Sequence, residues 1–434
     1  MERIIDRYLE EWKGKKDRKV LLVRGARQVG KTYSIRELGK KFNNFIEVNF
    51  EADLPIRKFF DSSLDPIEII EKLSIYYGQK IEAGKTLLFF DEIQACPNAL
   101  RSLRFFYEKL PDLHVIGAGS LLEFALSQIP SFGVGRIHSL FMYPMNFKEF
   151  LLASNSSEYI NIINKAKANK IVDTVFHNKI LDKLKLFILI GGMPEVVKTY
   201  IKTDSFLECQ KILENLITTI FDDFGKYKEK FNKFDLQEIF NSIILQTGQK
   251  FKYSKIGKGK NEKYKKNLEL LMDSGMIYKV YHTSASGLPL GGQIKQNKFK
   301  MLLFDTGIYQ VAQGMDLKTY LTDTFSEIIN RGNLTELFVG LELIKAQSLS
   351  LRPQLFYWHR EAKSSNAEVD FVISQNGKIY PIEVKSGTKG QMQSMNIFLN
   401  KKESQFGIRI SQENFSEYDN IKVFPLYAVE NIFR

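Results

Sequence analysis

The chain has 434 residues, 44% hydrophobic and 26% charged, a balance that supports large folded cores and excludes wholesale disorder. Its 62 basic residues against 50 acidic ones leave a formal charge of +12, which favours a polyanionic partner. The two cysteines, Cys96 and Cys209, are too few for a disulfide framework or a cysteine zinc cluster.

At roughly 150 residues per domain, the length predicts about three domains. The opening residues, through Trp12, read as an amphipathic helix without the apolar core of a signal peptide. No apolar run approaches the roughly 20 residues that span a bilayer. No membrane association and a cytoplasmic location are therefore expected.

An α/β domain is expected over residues 1–150. Short apolar runs begin at Val20, Phe45, Thr86 and His114, each followed by a polar or glycine-rich stretch. Runs of this kind are the mark of buried parallel strands. Residues 151–230 read as helical, with a break at Gly191-Gly192-Met193-Pro194. Residues 231–315 run helix, helix, helix, hairpin, an order that suggests a winged helix. Residues 316–434 carry a helix over 334–346 and strands at Leu355, Val369 and Ile379, which predict a small sheet flanked by helices.

The strongest motif is Gly25-Ala26-Arg27-Gln28-Val29-Gly30-Lys31-Thr32, which fits G-x-x-x-x-G-K-[ST] at every fixed position. It lies after a strand and before a helix, so backbone amides of a glycine-rich loop and a helix N-terminus would face phosphates. Lys31 would reach the β- and γ-phosphates, and the Thr32 hydroxyl would ligate Mg²⁺. The apolar strand ending in Asp91-Glu92 supports this reading. Asp91 would hold the metal through water, and Glu92 would orient or deprotonate the attacking water. Ser120, after the next strand, is either a γ-phosphate sensor or a turn serine. Arg136, in Gly133-Val134-Gly135-Arg136, either neutralises transition-state charge, in cis or from a neighbouring subunit, or is a solvated surface residue.

A second constellation joins Asp370 on one strand to Glu383 and Lys385 on the next. Residues two apart on a strand share a face, so Glu383 and Lys385 point together, toward Asp370 if the strands form a hairpin. Asp370, Glu383 and the Val384 carbonyl would make a hard oxygen site for Mg²⁺, with Glu336 as a third carboxylate. Lys385 would orient or help deprotonate a water for attack on a phosphodiester. The bland alternative is a pair of exposed strands with a salt bridge between residues two apart. Between 250 and 266 lie eight lysines (250, 252, 255, 258, 260, 263, 265 and 266), interleaved with Phe251, Tyr253 and Tyr264. They read equally well as a face for DNA phosphates and as a solvated lysine-rich surface. The five histidines show no metal-ligand spacing.

In these motifs the chain resembles a bacterial and archaeal family of AAA-type ATP-binding proteins with a C-terminal domain that has a restriction-endonuclease-like core. The matching residues also include Tyr143-Pro144-Met145-Asn146-Phe147, Gly191-Gly192-Met193-Pro194-Glu195 and Phe304-Asp305-Thr306-Gly307. Gly117-Ala118 before Gly119-Ser120 departs from the family, where a threonine often precedes the Gly-Ser. The resemblance implies an ATPase module, a winged helix and a nuclease-like module. ATP and Mg²⁺ as cofactors, nucleic acid, DNA above all, as partner, and a homo-oligomer are expected. The rival expectation is a nucleotide-controlled switch in signalling or defence, whose C-terminal domain binds a partner without cleaving it.

Overall fold

The computed structural model describes residues 1–120, 122–127, 135–224, 233–257, 261–317, 332–360, 367–387 and 392–433. These divide into two compact units. The first holds Met1–Tyr143 with the short pieces Asp273–Gly275 and Ser348–Arg352, and the second holds the rest.

The first unit is built on five strands: β1 (Val20–Arg24), β2 (Asn44–Asn49), β3 (Thr86–Asp91), β4 (His114–Ala118) and β5 (Ile137–Phe141). They pair in the order β2-β3-β4-β1-β5, and every pairing is parallel. All four strands expected from the sequence are present. Their near-continuous apolar character follows from burial on both faces: β3 and β4 are buried at every residue. Phe50, Phe60, Phe90 and Phe106 join in edge-on and tilted ring contacts in the core on one side of the sheet. Because all strands run the same way, β1, β3 and β4 end on one edge, and that edge collects the Gly25–Thr32 loop, Asp91-Glu92 and Ser120.

The second unit contains an eight-stranded mixed sheet. Its strands are β6 (Ile277–Thr283), β7 (Ile294–Leu303), β8 (Leu355–His359), β9 (Glu368–Gln375), β10 (Lys378–Val384), β11 (Gly407–Ser411), β12 (Ser416–Tyr418) and β13 (Ile421–Pro425). The order is β12-β13-β11-β10-β9-β8-β6-β7. β8, β9 and β10 form an antiparallel meander, and β11 returns parallel to β10 after the helix Gln393–Lys402.

This sheet changes the reading of the 231–315 segment. The hairpin expected as a wing is β6-β7, and β6 pairs in parallel with β8. Between the helices Lys233–Gln246 and Asn261–Asp273, the described residues form a 3₁₀ turn, Tyr253–Lys255, and an isolated antiparallel bridge of Lys250 to Lys300. The hairpin is an extension of the C-terminal sheet, so the expected boundary at 315/316 falls between strands that share hydrogen bonds. Helix-spacing and strand-alternation patterns are local, whereas the β6-β8 pairing joins segments more than 70 residues apart.

The break at Gly191 also has a structural cause. The helix Thr174–Ile190 stops there, and the helix Pro194–Thr203 starts with proline in its first turn. Asp305, N-cap of the helix Thr306–Ala312, accepts hydrogen bonds from the amides of Ile308 (3.0 Å) and Gly192 (2.7 Å). Two motifs far apart in the chain thus meet at one buried carboxylate.

A second buried carboxylate, Glu342, accepts from the Phe147 amide at 3.1 Å and lies 3.3 Å from the Lys345 ammonium. Burial pushes its pKa up to about 7, against the opposing pull of Lys345. The folded chain therefore holds this proton more tightly than the unfolded chain, whose carboxyl titrates near 4.5. The corresponding stability is full below pH 4.5 and is lost as the pH rises toward 7, by about 3 kcal/mol. Urea melts across pH 4.5–7 are expected to show that decline, and Glu342→Gln is expected to flatten it.

Candidate nucleotide site and carboxylate cluster

The loop between β1 and the helix Lys31–Gly39 is shaped by backbone constraint. Gly25 has φ +145°, and a Cβ there would lie 2.1 Å from the Met142 carbonyl oxygen. Any side chain would force the loop off the neighbouring strand connection. Gly30, at φ +102°, caps the helix without a side-chain bond, leaving the first-turn amides of the helix directed into the loop. Gln28 also takes a positive φ, of 60°. Behind the loop the buried Arg3 guanidinium donates to the carbonyls of Val29 and Tyr143, each at 2.7 Å. Arg3, the extended residue preceding the helix Ile4–Gly14, gave no signal in the sequence because a buried arginine there carries no motif.

Within the loop the Lys31 ammonium donates to the carbonyls of Gly25 (3.0 Å) and Ala26 (2.8 Å). Burial lowers its pKa to about 8, while Glu92 and Asp91 oppose the shift. The Thr32 hydroxyl donates to Asp91, with both carboxylate oxygens at 3.2 Å. Burial, and then Glu92, raise the Asp91 pKa to about 6. Glu92 holds a left-handed backbone conformation, φ 48° and ψ 43°, immediately after β3. Its carboxylate accepts from the Gln94 side-chain amide at 2.6 Å. Such strain costs of order 1–3 kcal/mol and turns the side chain out of the strand direction. Gln94 is the second residue whose part emerges only from the structure. The pairing of β4 with β1 and β3 brings Ser120, nine-tenths buried, to this same edge.

Arg136 is placed elsewhere. Val20 opposes Ile137 and Arg24 opposes Phe141 in the β1-β5 pairing, so Arg136 stands at the start of the strands. The loop stands at their end, about 13 Å away along β1 at 3.3 Å per residue. Arg136 is bound to Glu108 at 2.5 Å. The expectation that it serves phosphate chemistry in cis is therefore corrected. Gly133 and Val134 of that motif lie outside the described residues.

The donor set of the loop fits a nucleoside triphosphate with Mg²⁺. It offers helix amides, an ammonium now resting on two carbonyls, and a hydroxyl–carboxylate pair of the kind that shares a hard cation.

In the second unit β9 and β10 form the expected hairpin, with Ile382 opposite Phe371. The Val384 amide donates to Asp370 at 2.8 Å, and Lys385 binds Glu383 at 2.7 Å. Burial raises the pKa of Glu383, and proximity to Asp370 adds to the rise. Glu336 lies on the helix Gly332–Lys345. Lys300 of β7 binds it at 2.8 Å, binds Glu368 at 2.7 Å and lies 3.9 Å from Asp370. Among the described residues no three histidine, cysteine, aspartate or glutamate side chains are arranged to hold a metal ion. A buried ammonium, that of Lys300, stands beside Glu336 and Asp370 of the expected set.

The lysine-rich segment is only partly available to a partner. Lys250 pairs with Glu368 at 3.2 Å and Lys263 with Asp235 at 2.6 Å. Lys258 and Lys260 lie outside the described residues. Phe251 and Tyr264 are buried, and Phe251 stacks on Phe299, so these rings serve the core and are not a platform for bases.

Residues 17–151 match the family model of an AAA domain. Residues 181–319 and 331–429 match two models described as domains of unknown function, DUF8612 and DUF4143. With the loop geometry above, the first unit contains an AAA-type, nucleotide-binding ATPase domain of the P-loop class. No curated protein matches the sequence. Among solved structures, unliganded Pif1 from Bacteroides sp is 16% identical over 38% of this chain and 49% of its own, with a TM-score of 0.23. Aeropyrum pernix ORC1, solved in complex with DNA, is 11% identical over 73% of this chain and 92% of its own, TM-score 0.29. A signal transduction ATPase (STAND) protein with a tetratricopeptide repeat sensor, from Pyrococcus horikoshii, is 11% identical over 79% of this chain and 48% of its own, TM-score 0.28. The chain thus spans about half the length of Pif1 and of the STAND protein. Among the described residues no helix is long and apolar enough to cross a membrane.

Proposed function

We propose that the protein binds and hydrolyses ATP with Mg²⁺ at the Gly25–Thr32 loop, and that its nucleotide state governs a C-terminal, restriction-endonuclease-like domain that binds nucleic acid. The observation that carries the reading is the convergence of Lys31, Thr32, Asp91, Glu92 and Ser120 on one edge of a parallel sheet. When bound, Mg²⁺ would neutralise charge on the β- and γ-phosphate oxygens. Gly25, Ala26, Arg27, Gln28, Val29 and Gly30 wrap the phosphates. Lys31 exchanges its two carbonyl partners for phosphate oxygens. Thr32 and Asp91 are the residues that would hold the metal. Glu92 accepts the proton of the attacking water, its carboxylate oriented by Gln94. Ser120 reads the γ-phosphate. Arg136 has a catalytic role only if a second copy of the chain presents it.

Glu92→Gln is expected to keep ATP affinity within about threefold while cutting turnover by about 10²–10³, the loss typical of a general base. Steady-state hydrolysis with a fluorescent-nucleotide titration checks it. Equal turnover in the variant and the wild type would remove Glu92 from the mechanism.

Net positive charge and the exposed Lys252, Lys255 and Lys265 favour nucleic acid as the partner. Affinity for labelled DNA that falls steeply with salt and changes between ATP and ADP supports this reading. Salt-independent binding, or none in either nucleotide state, counts against it. The alternative of a switch that does not cleave its partner gains weight from one observation, the lysine inside the carboxylate cluster.

A further inference from the structure

Lys300 is the least expected residue in the second unit. It lies on β7, its side chain is 1% exposed, and its ammonium is held by Glu336 and Glu368 at 2.8 and 2.7 Å, with Asp370 at 3.9 Å. The Tyr357 ring lies beneath it, 5.4 Å from the nitrogen to the centroid. The ammonium lies buried inside a ring of acids.

The acids around it are already committed. Glu336 serves Lys300, and Glu368 serves both Lys300 and Lys250. One Asp370 oxygen accepts from the Val384 amide, and the other is turned toward Lys300. One Glu383 oxygen accepts from Lys385. That leaves Glu383 Oε2 as the one buried carboxylate oxygen of this cluster without a hydrogen-bond partner among the described residues. Mg²⁺ asks for about six oxygens at close to 2.1 Å in octahedral array. Mg²⁺ is usually held by one or two carboxylates and several waters, but here the Lys300 ammonium, ion-paired to Glu336 and Glu368 and 3.9 Å from Asp370, fills the space between those acids, so the residues present do not fit the metal that a nuclease-like core implies.

We propose that Lys300 is the built-in cation of this cluster: its ammonium stands in place of a divalent metal, and the C-terminal domain binds its partner without metal-dependent phosphodiester cleavage. This deepens the proposed function and rests on its reading of the domain as restriction-endonuclease-like.

The test uses the full chain without nucleotide. Mn²⁺ is titrated into wild type and Asp370→Asn, with free metal followed by electron paramagnetic resonance. The two proteins are expected to bind Mn²⁺ equally and weakly, and neither is expected to nick supercoiled plasmid in Mg²⁺ or Mn²⁺. A class of Mn²⁺ sites with micromolar affinity in wild type that disappears in Asp370→Asn would overturn the proposal, as would wild-type nicking lost in that variant. Lys300→Ala removes the cation and opens room beside the acids. It is expected to melt well below wild type, to regain several degrees in millimolar Mn²⁺, and to bind Mn²⁺ at least tenfold more tightly than wild type. A folded Lys300→Ala protein indifferent to Mn²⁺ would also overturn the proposal. If Lys300→Ala does not fold, the comparison of wild type with Asp370→Asn decides alone. DNA anisotropy in EDTA on wild type judges the partner reading separately. Failure to bind DNA would sink that reading and leave the metal result intact.

Discussion

Lys31→Ala is expected to lower kcat/KM for ATP hydrolysis by at least about 10³, a loss of roughly 4 kcal/mol or more of transition-state stabilisation. Two effects act together. The ammonium is the buried point charge of the loop, resting on the Gly25 and Ala26 carbonyls, and no other lysine lies in the motif. Its removal also leaves the negative charges of Asp91 and Glu92 facing incoming phosphates without compensation, and both are close enough to raise the pKa of Lys31. Binding and turnover should both fall, unlike in Glu92→Gln, where turnover falls almost alone. Circular dichroism and thermal melts should show the fold intact, because the hydrogen bonds of the Lys31 ammonium stay within its own loop, at the Gly25 and Ala26 carbonyls. Turnover within tenfold of wild type would mean that the loop does not carry the reaction.

Asp305→Ala should be the most damaging of the structural substitutions, costing about 3 kcal/mol or more. Asp305 is wholly buried and accepts from the amides of Gly192 and Ile308, with the Gly307 amide also favouring its charged form. Each orphaned buried donor costs about 1–3 kcal/mol. Part of that loss is offset, because burial makes the carboxylate itself expensive and pushes its pKa up. Asp305→Asn keeps an acceptor oxygen and should lose about half as much. Urea midpoints for the pair, with ATP turnover measured on the folded fraction, check both the size and the order. Equal stability for Asp305→Ala and wild type would show that the Gly191-Gly192 and Phe304-Asp305-Thr306-Gly307 motifs meet for some other reason.

The parts of the molecule that were legible in the sequence are those written in local pattern. β1 to β4 could be read because a buried parallel strand is a short, nearly unbroken apolar run, as in Leu87-Leu88-Phe89-Phe90. The loop could be read because its chemistry fixes residue types at fixed spacing. β5 was missed: Ile137-His138-Ser139-Leu140-Phe141 is an edge strand only partly buried, so its apolar pattern is broken. Of the helix-helix-helix-hairpin order of 231–315, two helices and the hairpin were legible; among the described residues the expected second helix is a 3₁₀ turn, and the partner of β6 comes from β8, far along the chain. The position of Arg136 was left open because parallel pairing, invisible in sequence, decides which end of a strand faces the loop. Lys300 gave no signal at all. One lysine in a lysine-rich chain reads as solvated, and only the fold reveals that Glu336, Glu368 and Asp370 enclose it. Phe251 and Tyr264, taken as part of a basic and aromatic surface, follow the same logic in reverse: their rings fill the core while neighbouring lysines face solvent.

The claim on which the account turns is that the Gly25–Thr32 loop takes a triphosphate together with Mg²⁺. Isothermal titration of ATP into the wild-type chain in millimolar Mg²⁺ tests it directly. The account predicts a saturable exothermic isotherm near one nucleotide per chain, weakened at least tenfold when Mg²⁺ is replaced by EDTA and lost in Lys31→Ala. No heat of binding at millimolar ATP, or an isotherm unchanged in Lys31→Ala, would contradict it.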